Sequence, residues 1–244
     1  MASGHHAAVV AAIRARYHHS APEVGYEVRE TPWGVLGHLG PYRRAIIRVG
    51  DASDGRVVDE VIGEGPDVIW VEDRERTRRL APLFARAGYV ATRATVYLAL
   101  DGPVTLSYPV RSELRATRDV EDFARRKLTY FADGVAPSAA ALAREVATRD
   151  AERSVASWYL VEFDGDVVGV LAAYDDETPI VFLLATRPDQ RARGHASGAL
   201  ARWVASGPAR THVINATEGA APERLYRRLG FDDEVYWYQR FEKI

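Results

Sequence analysis

Arg191, Gly194 and Ala196 are spaced as R-x-x-G-x-A within Val181–Val204 (VFLLATRPDQRARGHASGALARWV), which runs from an apolar stretch through a charged turn into an amphipathic one. Backbone N–H groups at a helix start lack partners inside the helix, and small side chains there let an anion approach closely. Arg191 and Arg193 add guanidinium groups suited to phosphate oxygens. Other chemistries find no template. Gly194-His195-Ala196-Ser197-Gly198 sets its serine one residue late for a G-x-S-x-G elbow. The pairs His5-His6 and His18-His19 lack partners at metal-ligand spacing, so no metal is expected. No phosphate-binding Walker loop or dinucleotide fingerprint occurs. With no cysteine, disulfides, thiolate metal sites and cysteine nucleophiles are excluded.

The elements around this loop follow from periodicity and punctuation. Leu114–Phe123 reads as a strand end and then a helix to about Tyr130, with Asp119 as N-cap and Glu121 and Asp122 in the first turn. Tyr130–Pro137 is a loop, and Ser138–Arg149 an Ala-rich helix. Trp158–Phe163 and Val167–Tyr174 are strands joined through Asp164-Gly165-Asp166, a hairpin signal. Pro179–Thr186 is an apolar, central strand. In the helix after the loop, Ala196, Leu200, Trp203 and Val204 share one face. Thr211–Ala216 is a strand, Ala221–Leu229 a helix closed by Gly230, and Phe231–Phe241 a strand pair or one long strand.

The loop has a companion downstream, Leu225-Tyr226-Arg227-Arg228-Leu229-Gly230-Phe231. The two motifs and the order β-α-α-β-β-β-α-β-α-β over roughly residues 104 to 244 resemble the GNAT acyltransferase superfamily, whose members bind acetyl-CoA or a related acyl-CoA. The resemblance implies an α/β (α+β) fold with a mixed central sheet flanked by helices. It implies that N–H groups of Arg191, Ala192, Arg193, Gly194, His195 and Ala196, extending to Ser197, bind the CoA pyrophosphate. His195 holds a tolerant position in that motif and is expected to be solvated rather than catalytic. Leu184, Ala185 and Thr186 would present backbone groups to the pantetheine arm from a splayed strand, with Asn215 facing them. Tyr226 would donate a proton to the departing thiolate, a task suited to a phenol with a pKa of about 10. Leu225, Leu229 and Phe231 are expected in the core.

The same resemblance implies transfer of an acetyl group to a small-molecule primary amine by direct attack. The chain departs from the family where many relatives place Asn, seven residues before the tyrosine, and has Gly219 there. A general base is hard to name, because IVFLLAT contains no carboxylate. Glu177, Glu162 and Glu218 are candidates, and a water-mediated base is an alternative. The acceptor is expected near Tyr130, Phe131 and Asp133 and near Tyr236, Trp237 and Tyr238, whose aromatic character fits an amine with some apolar surface. Two rival readings are a non-catalytic acyl-CoA-binding module and an enzyme of this fold using another acyl donor.

In the first hundred residues, a helix is expected near Ala7–Tyr17, strand-like runs at Tyr26–Arg29, Val35–Leu39 and Ala45–Val49, a helix at Val57–Ile62 and a strand at Asp67–Val71. Leu83-Phe84-Ala85-Arg86-Ala87-Gly88-Tyr89 parallels the LYRRLGF heptad, with Phe84 and Tyr226 standing 142 positions apart. A repeat this long implies a duplicated domain. No R-x-x-G-x-G/A sequence lies between residues 41 and 66, and phenylalanine replaces the tyrosine. The expected division is a degenerate GNAT-like domain, 1–103, and an acyl-CoA-binding catalytic domain, 104–244. The formal net charge of −2 gives no footprint for nucleic acid or anionic membrane. The N-terminal apolar run is too short and too interrupted for a signal peptide or membrane span. The chain is therefore expected in the cytoplasm, with homodimer formation left open.

Overall fold

A computed structural model describes residues 7–14, 28–39, 42–48, 53–106, 111–175, 177–207 and 211–244. The two His-His pairs and the beginning of the run at Tyr26 lie outside the described residues. Two compact units divide the chain: one comprises Met1–Tyr97, Ala216–Ala220 and Glu234–Ile244, the other Leu98–Asn215 and Ala221–Asp233. The first is called unit 1, the second unit 2. Neither is one continuous stretch of sequence.

Unit 2 contains the R-x-x-G-x-A loop. Its elements are β6 (Glu113–Thr117), α4 (Val120–Phe131), α5 (Ala139–Ala151), β7 (Ser157–Phe163), β8 (Asp166–Tyr174), β9 (Ile180–Thr186), α6 (His195–Ser206) and α7 (Ala221–Arg228), with the end of β5 (Tyr89–Asp101) and most of β10 (Thr211–Thr217). The strand order is β5-β10-β9-β8-β7-β6. Strands β6 to β9 pair antiparallel, and β9 pairs parallel with β10. The sheet is therefore mixed.

Local chemistry sets these elements. Asp119 accepts the Asp122 N–H at 2.9 Å and caps α4, and Ser138 accepts the Ala141 N–H at 3.2 Å and caps α5. Asp164 (φ 50°) and Gly165 (φ 83°) form the tight turn of the β7–β8 hairpin. α4 packs Val120, Phe123 and Tyr130 on Trp158, Leu160, Val170, Ala172, Leu183 and Ala185 of the sheet. An ion pair of 2.6 Å between Lys127 and Glu145 ties α4 to α5. α6 buries Leu200, Trp203 and Val204 as the periodicity predicts, and also His195, Ser197, Gly198 and Ala199.

Unit 1 has α1 (7–14), β1 (Val28–Thr31), β2 (Gly34–Leu39), β3 (Tyr42–Ile47), α2 (Asp54–Glu64), β4 (Val68–Val71), α3 (Arg74–Arg86), most of β5, and β11 (Asp233–Lys243), in the strand order β1-β2-β3-β4-β11-β5. The Phe231–Phe241 region resolves into one strand, β11, which runs antiparallel to β4 with Phe241 opposite Ile69. Val57, Val58 and Val61 of α2 and Leu80 and Phe84 of α3 close a core with Ile47, Ile69, Val71 and Phe241.

The internal repeat extends beyond the heptad. Glu64 and Ser206 end α2 and α6, Arg86 and Arg228 end α3 and α7, and Asp101 and Lys243 end β5 and β11. Each of these pairs stands 142 positions apart, the spacing of Phe84 and Tyr226.

Candidate functional site

A cavity of about 840 Å³ in unit 2 is bounded by the end of β9, the loop into α6, the end of α4, and α7. Of the sequence-derived site residues, Tyr130, Phe131, Leu184, Ala185, Thr186, Arg191, Ala192, Arg193, Gly194, His195, Ala196, Ser197 and Tyr226 line it. Asn215 does not. It is half-buried on β10, one residue past the last residue paired with β9.

That pairing is short. Val213 lies opposite Ile180 and Ile214 opposite Val181, and the β9–β10 register ends there although β9 continues to Thr186. Phe182 is also the extra residue of a bulge against β8, since Ala172 faces Leu183 while Ala173 faces Val181. A bulge leaves its extra residue outside the regular ladder, and an unpaired strand edge offers N–H and C=O groups to an extended ligand. The β9 edge is thus open from Phe182 to the cavity wall formed by Leu184–Thr186.

The loop beyond β9 presents N–H groups at the start of α6. Gly194 is its N-cap at φ 86°, with no side chain capping the first turn, and Ala192 also has positive φ, 60°. Left-handed residues alternating with others curl successive N–H groups inward, and the helix dipole adds partial positive charge. Arg191 braces this loop. Its guanidinium pairs with Asp133 and donates to the Tyr130 carbonyl at the end of α4, and its Nε reaches the Thr186 carbonyl at 3.4 Å. Its charge is thereby shared with Asp133, which leaves Arg193, exposed and without a carboxylate partner among the described residues, as the loop's available cation.

His195 corrects the expectation of a solvated residue. It is 5% exposed, with Nδ1 3.0 Å from Ser112 Oγ and its ring 4.8 Å from Phe163. Burial, followed by the charges of Arg193 and Arg187, lowers its pKa and keeps the ring neutral. Its side chain belongs to the packing that seats α6. The buried contact has no signal in the loop sequence, because Ser112 lies on a segment remote from it.

Tyr226 is 5% exposed in α7 and lines the cavity, and burial pushes its pKa well above that of a free phenol. Leu225, expected in the core, also lines the cavity, whereas Leu229 and Phe231 are buried. Gln190, Ala221, Pro222 and Arg228 complete the wall and were not singled out from sequence. For Arg228 a signal existed. Glu223 stands one helical turn before Arg227 and takes it in an ion pair of 2.9 Å, whereas the residue at that spacing from Arg228 is Arg224. The lining contains three arginines and no carboxylate.

The candidate bases lie elsewhere. Glu162 pairs with Arg115 at 2.7 Å, Glu177 is exposed, and neither lines the cavity. Glu218 belongs to unit 1, where it accepts from Arg74 at 2.8 Å and from Trp237 Nε1 at 3.0 Å. The aromatic residues of β11 are engaged within unit 1 as well. Tyr236 donates to Glu72, and Tyr238 stacks on Trp70 with centroids 4.3 Å apart. Tyr236 and Trp237 line a depression in that unit together with Val10, Arg14, Glu72 and Glu234. At the unit 2 cavity, Phe131 is 60% exposed and is the large apolar side chain presented to solvent.

At the equivalent place in unit 1, β3 pairs with all of β4, from Arg44 opposite Val68 to Ile47 opposite Val71, so no edge opens. The first turn of α2 carries its own carboxylate, Asp54, paired with Arg76 at 3.1 Å and Arg79 at 2.6 Å. Arg76 is 4% exposed and also donates to the Arg48 carbonyl. Phe84, fully buried, fills the position of Tyr226. Residues 49–52, between β3 and α2, lie outside the described residues.

No protein-family profile matches this sequence, and no curated protein does. Solved structures match its fold. A GCN5-related N-acetyltransferase from Kribbella flavida superposes with a TM-score of 0.57 at 16% identity, over 89% of each chain. A GCN5-related N-acetyltransferase from Sphaerobacter thermophilus gives 0.53 at 18% identity over 72% of this chain, which spans 59% of that one. A tandem GNAT protein from the clavulanic acid biosynthesis pathway gives 0.50 at 14% identity, over 85% of this chain and 77% of its own. The chain has the GNAT fold, a mixed sheet flanked by helices. Among the described residues no helix is long and apolar enough to cross a membrane, and no group of three metal-ligating side chains occurs.

Proposed function

We propose that this protein is an acyl-CoA-dependent N-acyltransferase that moves an acetyl group from acetyl-CoA to a small-molecule primary amine by direct attack. The observation that carries this reading is the opened β9 edge leading into the uncapped start of α6 along one cavity without carboxylates. The donor set fits CoA. N–H groups from Ala192 to Ser197, with Arg193, suit a pyrophosphate. The free backbone of β9 suits the amides of a pantetheine arm. Bound acetyl-CoA supplies an acyl carbon open to attack by an amine, with a thiolate as leaving group. The chain contributes positioning, a backbone N–H near the Phe182 bulge to polarise the carbonyl, and the Tyr226 proton for the leaving sulfur. No cavity-lining carboxylate serves as base, so the acceptor amine reaches the site neutral or loses its proton through water. Phe131 offers apolar surface to a bound molecule. The reading carries with it a cytoplasmic location.

A thermal-shift screen of acyl-CoAs, followed by an amine panel with thiol release as readout, tests this. Stabilisation by acetyl-CoA and amine-dependent thiol release are expected. A chain that no CoA stabilises overturns the reading, and one that binds CoA but releases no thiol with any amine supports the binding-module alternative.

In the same reading the first half of the duplication is degenerate. The fully paired β3–β4 ladder, the Asp54 carboxylate in the first turn of α2 and Phe84 leave it without the open edge, the carboxylate-free helix start and the phenol. Calorimetric titration with CoA is expected to give one site per chain, and a stoichiometry of two contradicts this.

A further inference from the structure

Phe182, the extra residue of the β9 bulge, is paired in neither register. β8 pairs with Val181 and Leu183 around it, and the β9–β10 register has already ended at Val181. Its ring is held instead. The ring stacks on Tyr174 of β8 with centroids 4.5 Å apart, and the Arg149 guanidinium of α5 lies 5.6 Å from its centroid, within cation–π range. Phe182 and the buried Leu183 are consecutive yet pack on one core cluster, where a regular strand would alternate faces. Arg149 is itself 7% exposed and surrounded by charge. It pairs with Glu145 at 2.7 Å and with Glu152 at 2.5 Å, and Lys127 of α4 pairs with Glu145 at 2.6 Å. Burial raises the Glu152 pKa and lowers that of Lys127. Four charges withdrawn from water are costly, and well-packed apolar residues of similar volume often stabilise as much or more. Fold stability alone therefore gives no reason for them. What they achieve is a guanidinium held against the bulge ring. None of Arg149, Tyr174 and Phe182 lines the cavity.

We propose that Arg149 is a positioning residue that acts through the Phe182 ring to fix the bulge backbone, whose N–H polarises the acyl carbonyl of bound acetyl-CoA. This rests on the acyl-CoA reading above and deepens it, because it names what holds the polarising group in place. A hydrogen bond to a developing oxyanion weakens with small errors of distance and angle, so a donor on an unpaired residue needs an external anchor. The carboxylates of Glu145 and Glu152 hold the guanidinium, and the guanidinium and Tyr174 hold the ring. The fixed ring in turn limits the torsions open to the Phe182 backbone.

The test is infrared difference spectroscopy of acetyl-CoA, isotopically labelled at the carbonyl carbon and bound to the full chain without an amine. In wild type the carbonyl stretch is expected at lower wavenumber than in free acetyl-CoA, because a donor aimed at the oxygen polarises the bond. Phe182→Leu keeps apolar bulk but removes the ring, and should lose most of that shift, whereas Phe182→Tyr should keep it. Arg149→Lys preserves the charge facing Glu145 and Glu152 but not the planar group, and should lose part of it. Combining Phe182→Leu with Arg149→Lys should match Phe182→Leu alone, since a residue acting through another adds nothing once that one is gone. Calorimetry should give nearly the same Kd for acetyl-CoA throughout, and circular dichroism confirms that the variants fold. A full shift in either Phe182→Leu or Arg149→Lys overturns the proposal, as does an additive loss in the combined variant. Affinity that falls in step with the shift also overturns it, because the charge cluster then supports the whole binding edge and not the bulge. Wild type that binds acetyl-CoA with no shift overturns it too while leaving acyl-CoA binding intact. Failure of wild type to bind acetyl-CoA instead overturns the acyl-CoA reading on which the proposal rests.

Discussion

Replacing Tyr226 with phenylalanine is expected to lower kcat by about a hundredfold, within the range that a positioned general acid supplies, while the Kd for CoA stays nearly unchanged. The substitution removes one oxygen from a buried side chain that touches the cavity and leaves the ring to pack against Phe231, 6.4 Å away between centroids. Binding and catalysis therefore separate, which a packing role alone does not predict. The pH profile gives a second readout. A proton donor must be in its neutral form, and burial raises the Tyr226 pKa, so the active window extends upward in pH. The wild-type kcat is expected to hold through pH ~10, where an ordinary phenol is already half ionised. A Phe variant that turns over at the wild-type rate would exclude Tyr226 as the acid, and equal loss of CoA affinity would reassign it to binding.

Gly194→Val is expected to weaken CoA binding by between about tenfold and a hundredfold. Gly194 sits at φ 86°, ψ 1°, and left-handed backbone costs an L-residue roughly 1–2 kcal/mol. A β-branched residue is the poorest choice there, and its methyl groups stand among the N–H groups meant to meet an anion. Either the loop keeps its curl at that cost, or it relaxes and the N–H groups diverge. Gly194→Ala, which adds the backbone cost with less bulk, should lie between wild type and valine. Titration with CoA, alongside circular dichroism to confirm folding, checks the series. Wild-type affinity in the valine variant would mean that the curl at Gly194 does not form the anion site.

Much of unit 2 was legible because its signals are local. Asp119 and Ser138 announce helix starts, Asp164-Gly165 a hairpin, and the apolar run from Ile180 a central strand, each within a few residues of the structure it specifies. The part of the cavity lining from β9 to α6 was legible for the same reason, since the strand end, loop and helix start are consecutive in the chain. His195 was not, because its burial depends on Ser112 and Phe163, brought to it by the sheet. The base candidates misled in a similar way. A glutamate's type can be read from sequence, but Arg115 beside Glu162 and Arg74 beside Glu218 become partners only on folding.

The sequence by itself determined the two motifs, the order of elements between them, and the pair of heptads that stand 142 positions apart. These depend on side-chain type and short-range periodicity, which survive without knowledge of the fold. Tertiary structure alone decided where strand pairing stops. β9 and β10 share two residue pairs and then part, while β3 and β4 stay paired along all of β4. Tertiary structure also decided that residues 234–244, at the end of the chain, complete unit 1, and that residues 98–101 belong to unit 2. Hydrogen bonds of a ladder join backbones distant in sequence and carry no side-chain label. A strand that opens to a ligand and one that closes on its neighbour can therefore read alike as apolar residues.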